Sequence, residues 1–316
     1  MAKHRIPESE RYKGPSKWVQ YIFARGLISL LQMLPITISF RLGRGVGWLC
    51  YRLLKKRRLV VCQNLTVVNE WVKGQPNDDL MVDYLRLTLN QQAMEVFQRA
   101  GANLFAGFSF SRMPPERISR HITVEGMDQL KHALADDGQG AIVLLAHMGP
   151  WEALTQLPSL LVQFGITAPF GAMYRPLNNH YLEHWFRCQR ESKGARLFSR
   201  RDGLHKPVDF LRAGGMLGIL ADQKLRKGAQ VPFFGRASRS NPLPGILQRR
   251  THVPMLSASI SSRNDCCWCI RFSVVSLDCS DAEERGREVD TAHCNQALER
   301  VLGDSILDGF WFHNRF

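Results

Sequence analysis

Six apolar residues, Ala141-Ile-Val-Leu-Leu-Ala146, stand between Gly140 and the pair Gly149-Pro150, and a run of this length between breakers reads as a strand buried on both faces. Strands of that kind belong to parallel sheets covered by helices, which leave no polar face. The rest of the chain keeps the alternation going. Residues 122–125 read as a short strand, 127–135 as a helix, 150–164 as a helix opened by proline at its first position, and 167–174 as another strand. Residues 178–193 and 203–213 read as helices, and 216–221 as a short buried strand ending in Asp222. Residues 253–260 and 268–277 read as two more strands with a turn at 261–265, expected as an antiparallel hairpin at the edge of the sheet. The expected fold is α/β: a mainly parallel mixed sheet flanked by helices, preceded by an N-terminal membrane-associated helical segment.

Charge separates that segment from the rest. Residues 1–75 hold fourteen Lys and Arg against Glu8, Glu10 and Glu70, a balance of +11 out of +14 for all 316 residues. An anionic partner is implied, and nucleic acid and an acidic membrane surface are the two common ones. The neighbouring residues favour the membrane and speak against nucleic acid, since residues 18–51 are rich in large apolar side chains and in Trp and Tyr. The uncharged run 26–40 is fifteen residues long and is broken by Pro35, short of the roughly 20 residues that span a bilayer. A helix lying in the interface, or a tilted or re-entrant hairpin, fits better, with Lys55-Lys-Arg-Arg58 meeting anionic headgroups. An internal core helix with a solvated basic end is the plainer alternative. Residues 1–75 are thus expected as a basic, apolar membrane-associating segment and 76–316 as the main domain. Within the latter, residues 79–107 show helical spacing through Leu80, Tyr84, Leu87, Met94 and Phe97, and 109–120 read as a linker.

The eight cysteines are poorly spaced for zinc, lacking paired C-x-x-C knuckles, and read as reduced thiols with no metal and no cofactor implied. Chemistry is concentrated instead where strands end. His147 follows the strand 141–146 at a strand-to-helix corner, and Glu152 stands in the first turn beyond it, placed to fold back and hold the imidazole in one tautomer. A structural hydrogen-bonding histidine is the competing reading. Arg175 follows a second strand and Asp222-Gln223 a third, so all can meet at the carboxyl edge of a parallel sheet, where ligands bind. Arg175 has a planar fork suited to phosphate or carboxylate, or it serves structure alone. Asp222 positions a cation or a substrate group, or only forms a turn. Phe233 and Phe234, in Val231-Pro-Phe-Phe-Gly235, line an acyl-chain groove or plug the core. No G-x-S-x-G elbow and no H-E-x-x-H helix is present, so covalent serine catalysis and zinc hydrolysis are disfavoured.

The set His147-Met-Gly-Pro-Trp-Glu152, Tyr174-Arg-Pro with Asn178, Asp222-Gln223, Val231-Pro-Phe-Phe-Gly235 and Trp311-Phe-His-Asn-Arg-Phe316 resembles the lipid A biosynthesis lauroyl/myristoyl acyltransferase family, a branch of the lysophospholipid acyltransferase-like group with its H-x4-D/E motif. The resemblance implies an acyltransferase at the cytoplasmic face of the inner membrane. Its donor would be acyl carrier protein and its acceptor a hydroxyl of a Kdo-bearing lipid A precursor, an anionic membrane lipid. His147 would be the general base and Glu152 its orienter, with Arg175, Asp222, Gln223, Phe233 and Phe234 on the substrates. Two stretches depart from the family pattern: Arg236-Ala-Ser-Arg-Ser-Asn-Pro-Leu-Pro244, where a Thr-rich stretch is usual, and Ile306-Leu-Asp-Gly-Phe310, where Pro-Glu-Gln-Tyr is usual. They leave open an acceptor that is another membrane lipid, and a catalytically inactive membrane-binding homologue is a further alternative.

Overall fold

The computed structural model describes residues 12–75, 83–135, 139–199, 203–276 and 286–316. Its centre is a seven-stranded sheet of β1 (Ile122–Glu125), β2 (Ala141–Leu145), β3 (Phe170–Tyr174), β4 (Arg196–Ser199), β5 (Met216–Leu220), β8 (Met255–Asn264) and β9 (Cys267–Val274), in the order β1-β9-β8-β2-β5-β3-β4. Five of its six pairings are parallel, and β8 with β9 is the antiparallel one. The apolar run at 141–146 forms β2, at the middle of the sheet and buried in every residue.

The hairpin of β8 and β9 forms as expected, but it is not at the edge. β8 pairs with β2 on its other side and β9 with β1. Residues 255–261 of β8 are buried one after another, serines included, because an interior strand covered by helices has no wet face. The edges are β1 and β4, each only four residues long, which limits the backbone they leave unpaired. A separate two-stranded hairpin, β6 (Ala229–Phe233) and β7 (Arg236–Ser240), turns at Phe234 and Gly235, whose φ values of 50° and 71° suit a tight turn with both central residues left-handed.

Helices α1 (Pro15–Met33), α2 (Ile36–Leu53) and α3 (Lys55–Lys73) precede α4 (Leu89–Phe110). Pro35 separates α1 from α2, and no described helix is long and apolar enough to cross a membrane. α4 starts later than the spacing predicts because Thr88 caps it, in a capping box with Gln91; Leu80 lies outside the described residues. α4 also runs on to Phe110, into the expected linker, which then holds one helical turn at Pro115–Ile118. α2 crosses α4 backbone to backbone: a Cβ on Gly43 would lie 2.4 Å from the Gly101 carbonyl oxygen, and one on Gly47 would lie 2.2 Å from that of Phe97. Further along come α5 (Met127–Ala133), α6 (His180–Glu191), α7 (His205–Arg212), α8 (Leu243–Thr251) and α9 (Arg287–Gly303). The expected helix at 150–164 is a 3-10 turn over Trp151–Gln156, one α turn over Leu157–Leu161, and a second 3-10 turn. Pro158 has no N–H to give the Leu154 carbonyl, which accepts from Leu157 in 3-10 fashion instead.

Candidate active site

β2 and β5 are adjacent and parallel, so the residues that follow them emerge side by side at the carboxyl edge. His147 follows β2 and Asp222 follows β5. The His147 Nδ1 lies 2.7 Å from the Asp222 Oδ1, with the imidazole 20% exposed and the carboxylate 9%. Burial alone would push the Asp222 carboxyl up. The charge and hydrogen bond of His147, with backbone N–H groups of His147 and Asp222, outweigh it and hold the carboxyl below its usual range. An anionic carboxylate on Nδ1 fixes the neutral tautomer with its proton there and its lone pair on Nε2. The side-chain amide of Gln223 lies 3.3 Å from the same Nδ1.

The loop carrying His147 is clamped from below. The Phe310 N–H donates to the His147 carbonyl at 2.8 Å, and the Gly149 N–H donates to the Asp308 carbonyl at 3.0 Å. Gly149 takes a φ of 55° and passes so close to β8 that a Cβ would sit 2.1 Å from the Ile260 carbonyl oxygen, so only glycine fits. Asp308 itself is a knot. Its carboxylate accepts from Arg99 and Asn103 of α4, from the N–H and Oγ of Ser262 and from Ser305. Trp151 and Phe310 stand edge-on to one another, 5.4 Å between ring centroids, and both rings lie against the imidazole.

Glu152 has a different partner from the one its position in the sequence suggests. Its two carboxylate oxygens accept from Arg190 of α6, at 2.7 Å from Nη2 and 3.1 Å from Nε, in a fork-to-fork pair about one quarter exposed. The 3-10 geometry of the corner turns Glu152 towards α6, and the carboxylate on Nδ1 comes from Asp222, 75 residues away in the chain. Arg175 stands exposed just beyond the end of β3, at the same edge of the sheet. Phe233 and Phe234 are buried. Phe233 lies under the Arg315 guanidinium, 4.1 Å from its carbon, and borders a small cavity beside Asp222; Phe234 packs edge-on against Trp71 and Trp311.

Arg190, Asp308, His313 and Arg315 complete the surroundings. Burial, then the nearby charge of His147, pushes the His313 imidazole down. Burial likewise pushes the Arg315 guanidinium down to about 10, against the opposing pull of Asp222 and Glu299. The Glu299 carboxyl is raised by burial and accepts from the Phe234 N–H at 2.5 Å, which steadies the β6–β7 turn. Nothing in the spacing of one sequence marks Arg190 or Asp308, whose partners are brought in by tertiary packing.

The family model for bacterial lipid A biosynthesis acyltransferases matches residues 6–316. The chain belongs to that family. This acyltransferase is 23% identical over 312 residues to the lipid A biosynthesis palmitoleoyltransferase of Escherichia coli (strain K12), covering 98% of this chain and 94% of the relative. It is 23% identical over 307 residues to the lipid A biosynthesis lauroyltransferase of the same organism, covering 96% and 92%. A phosphatidylinositol mannoside acyltransferase of Mycolicibacterium smegmatis (strain ATCC 700084 / mc(2)155) is 29% identical over 185 residues, 57% of this chain and 56% of that protein.

Proposed function

We propose that this acyltransferase moves a fatty acyl chain from acyl carrier protein to a hydroxyl of a Kdo-bearing lipid A precursor at the cytoplasmic face of the inner membrane. The observation that carries the reading is the buried Asp222 carboxylate on His147 Nδ1, in a chain of this family. His147 Nε2 takes the proton of the acceptor hydroxyl as its oxygen attacks the thioester carbonyl carbon. The carbon–sulfur bond then breaks, and the carrier sulfur leaves as a thiol with the proton returned by the imidazolium. No covalent acyl-enzyme is needed. Asp222 orients the ring and steadies its charged form. Glu152 acts through Arg190, tying the 3-10 corner to α6. The attack puts negative charge on the thioester oxygen; the Gly149 N–H is already given to Asp308, so the exposed Arg175 guanidinium at the same sheet edge is the group assigned to that oxyanion.

The membrane side of the reading rests on the N-terminal helices. Trp18, Phe23, Leu27, Leu30 and Met33 of α1 and Ile38, Leu42, Val46, Leu49 and Leu53 of α2 are all exposed, the latter at helical spacing along one stripe. Exposed apolar residues in a continuous patch mark a surface that meets lipid or protein. Arg52 lies over the Trp48 ring and Arg58 over the Tyr51 ring, which sets cations beside the patch as at a headgroup layer.

The partial likeness to the phosphatidylinositol mannoside acyltransferase favours a second reading, in which the acceptor is another membrane lipid. Mass spectrometry of lipid A from cells with and without the protein separates the two: loss of one secondary acyl chain is expected, and an unchanged lipid A would overturn the first reading. In membranes given acyl carrier protein thioester and the lipid A precursor, His147→Ala is expected to abolish transfer, and appreciable turnover would remove His147 as the base.

A further inference from the structure

The Asp222 carboxylate, 2.7 Å from Nδ1, does two things to His147. It fixes the tautomer, and it also favours a second proton on the ring; a ring that rests as imidazolium cannot take the acceptor's proton. What balances the carboxylate therefore matters to the base. Arg315, 2% exposed, borders the same small cavity as Asp222. A buried arginine is ordinarily forked onto a carboxylate. Among the described residues Arg315 has no such partner. Its Nη1 donates to the Ser238 Oγ and, at 3.3 Å, to the Arg239 carbonyl, its Nη2 donates to the Ser240 Oγ at 2.8 Å, and its carbon lies over the Phe233 ring. Nε is buried and unpartnered among the described residues.

These partners are neutral, and they are themselves held. The Ser238 Oγ donates to the Arg315 carbonyl at 2.8 Å, and Asn295 of α9 donates to the Ser240 Oγ at 2.8 Å. The guanidinium is thus fixed in place with its charge uncancelled by contact. Asp222 and Glu299 are the carboxylates that attract it through space, and with a value of about 10 it stays charged through the neutral range. The cavity that Arg315 shares with Asp222 has a volume of about 20 Å³, room for about one water, so their attraction is screened far less than at a surface. The other charged groups around the pair do not supply this cation. Burial, then the charge of His147, pushes His313 towards its neutral form. Arg57 of α3, Arg175 after β3 and Lys224 after β5 are exposed, where water and salt screen them. Glu299 of α9 has the opposite sign.

We propose that Arg315 is a positioning residue for the reaction: the fixed buried cation that balances Asp222, so that His147 rests as a neutral ring with Nε2 ready for the hydroxyl proton. The proposal rests on the assignment of His147 as the base made above, and its test reads the ring without turnover. In the full chain in detergent, with ¹³C-labelled histidine, the His147 imidazole signal is assigned by its loss in His147→Gln and followed by NMR as the pH is changed. In the unsubstituted chain the ring is expected to be neutral at about pH 7, and an imidazolium there would overturn the proposal with no substitution at 315 needed. Arg315→Gln is expected to move the titration up by about one pH unit, whereas Arg315→Lys, which keeps the charge and loses the fork, is expected to stay within about 0.3 unit of the unsubstituted chain. No movement in Arg315→Gln, or equal movement in Arg315→Lys, would make Arg315 a strut of the β6–β7 hairpin and overturn the proposal. The acid limb of kcat/KM for acyl transfer is expected to move with the ring. Movement of the ring in a chain that transfers no acyl group at any pH would uphold the charge balance and overturn the reaction proposed above.

Discussion

Two carboxylates flank the corner after β2, and they have opposite relations to the histidine. Glu152 is five residues from His147 in sequence and is forked onto Arg190, whereas Asp222 is 75 residues away and meets the ring at 2.7 Å. Sequence distance favoured Glu152 as the partner of the ring, and the structure places Asp222 there. A carboxylate one turn along a regular helix could fold back on the ring, but here the corner winds as a 3-10 helix with Glu152 forked onto Arg190, and the adjacency of parallel strands β2 and β5 brings in the distant one.

The difference between the two carboxylates can be broken by substitution. The largest effect is expected for Asp222→Asn, with kcat falling ~10⁴-fold as in a catalytic triad that loses its carboxylate. The comparison fails if Glu152→Gln does as much and Asp222→Asn little. Glu152→Gln is expected to lower kcat roughly tenfold through misplacement of the corner, with a stability loss of roughly 1–3 kcal/mol, between the exposed and buried limits for ion pairs. Chemical denaturation measures the second figure. Adding Arg190→Gln to Glu152→Gln should cost less than the sum of the single losses, since both remove one interaction. Full additivity in that double-mutant cycle would show that the pair does not act as a unit.

The smallest effect is one of pH. Asp222 has a folded value below its unfolded one, so its contribution to stability is complete above the unfolded carboxyl range, about pH 4, and is lost as pH falls through the depressed value. The melting temperature of the wild type minus that of Asp222→Asn should therefore shrink as the pH is lowered from about 4 through the depressed Asp222 value. A difference that grew over that acid range would contradict the sign of the shift.

Much of this was visible in the residues themselves. Residues 141–145 of the apolar run are β2, the strand at 122–125 has the expected bounds, and the carboxyl-edge rule put His147, Arg175 and Asp222 on one edge. What stayed hidden was lateral placement. An apolar hairpin at 253–277 reads the same whether it ends a sheet or sits inside one, and only the pairing of β9 with β1 decides. The helices at α8 and α9 and the strand β4 carry patterns too mixed for a single sequence to reveal. Arg190 and Asp308 are ordinary polar residues until their partners arrive from α4, β8 and the corner. The basic, apolar N-terminus showed clearly, and the structure adds which of its side chains stay uncovered.

The glycine crossing of α2 over α4 carries a consequence for reach. Backbone resting on backbone has no side chain that can yield, and α4 in turn grips Asp308, which holds the loop of His147. Seated on a bilayer by the outer stripe of α2, the base would ride at a fixed altitude above the lipid. On the reading proposed above, an enzyme so seated would choose among hydroxyls by elevation as well as by shape.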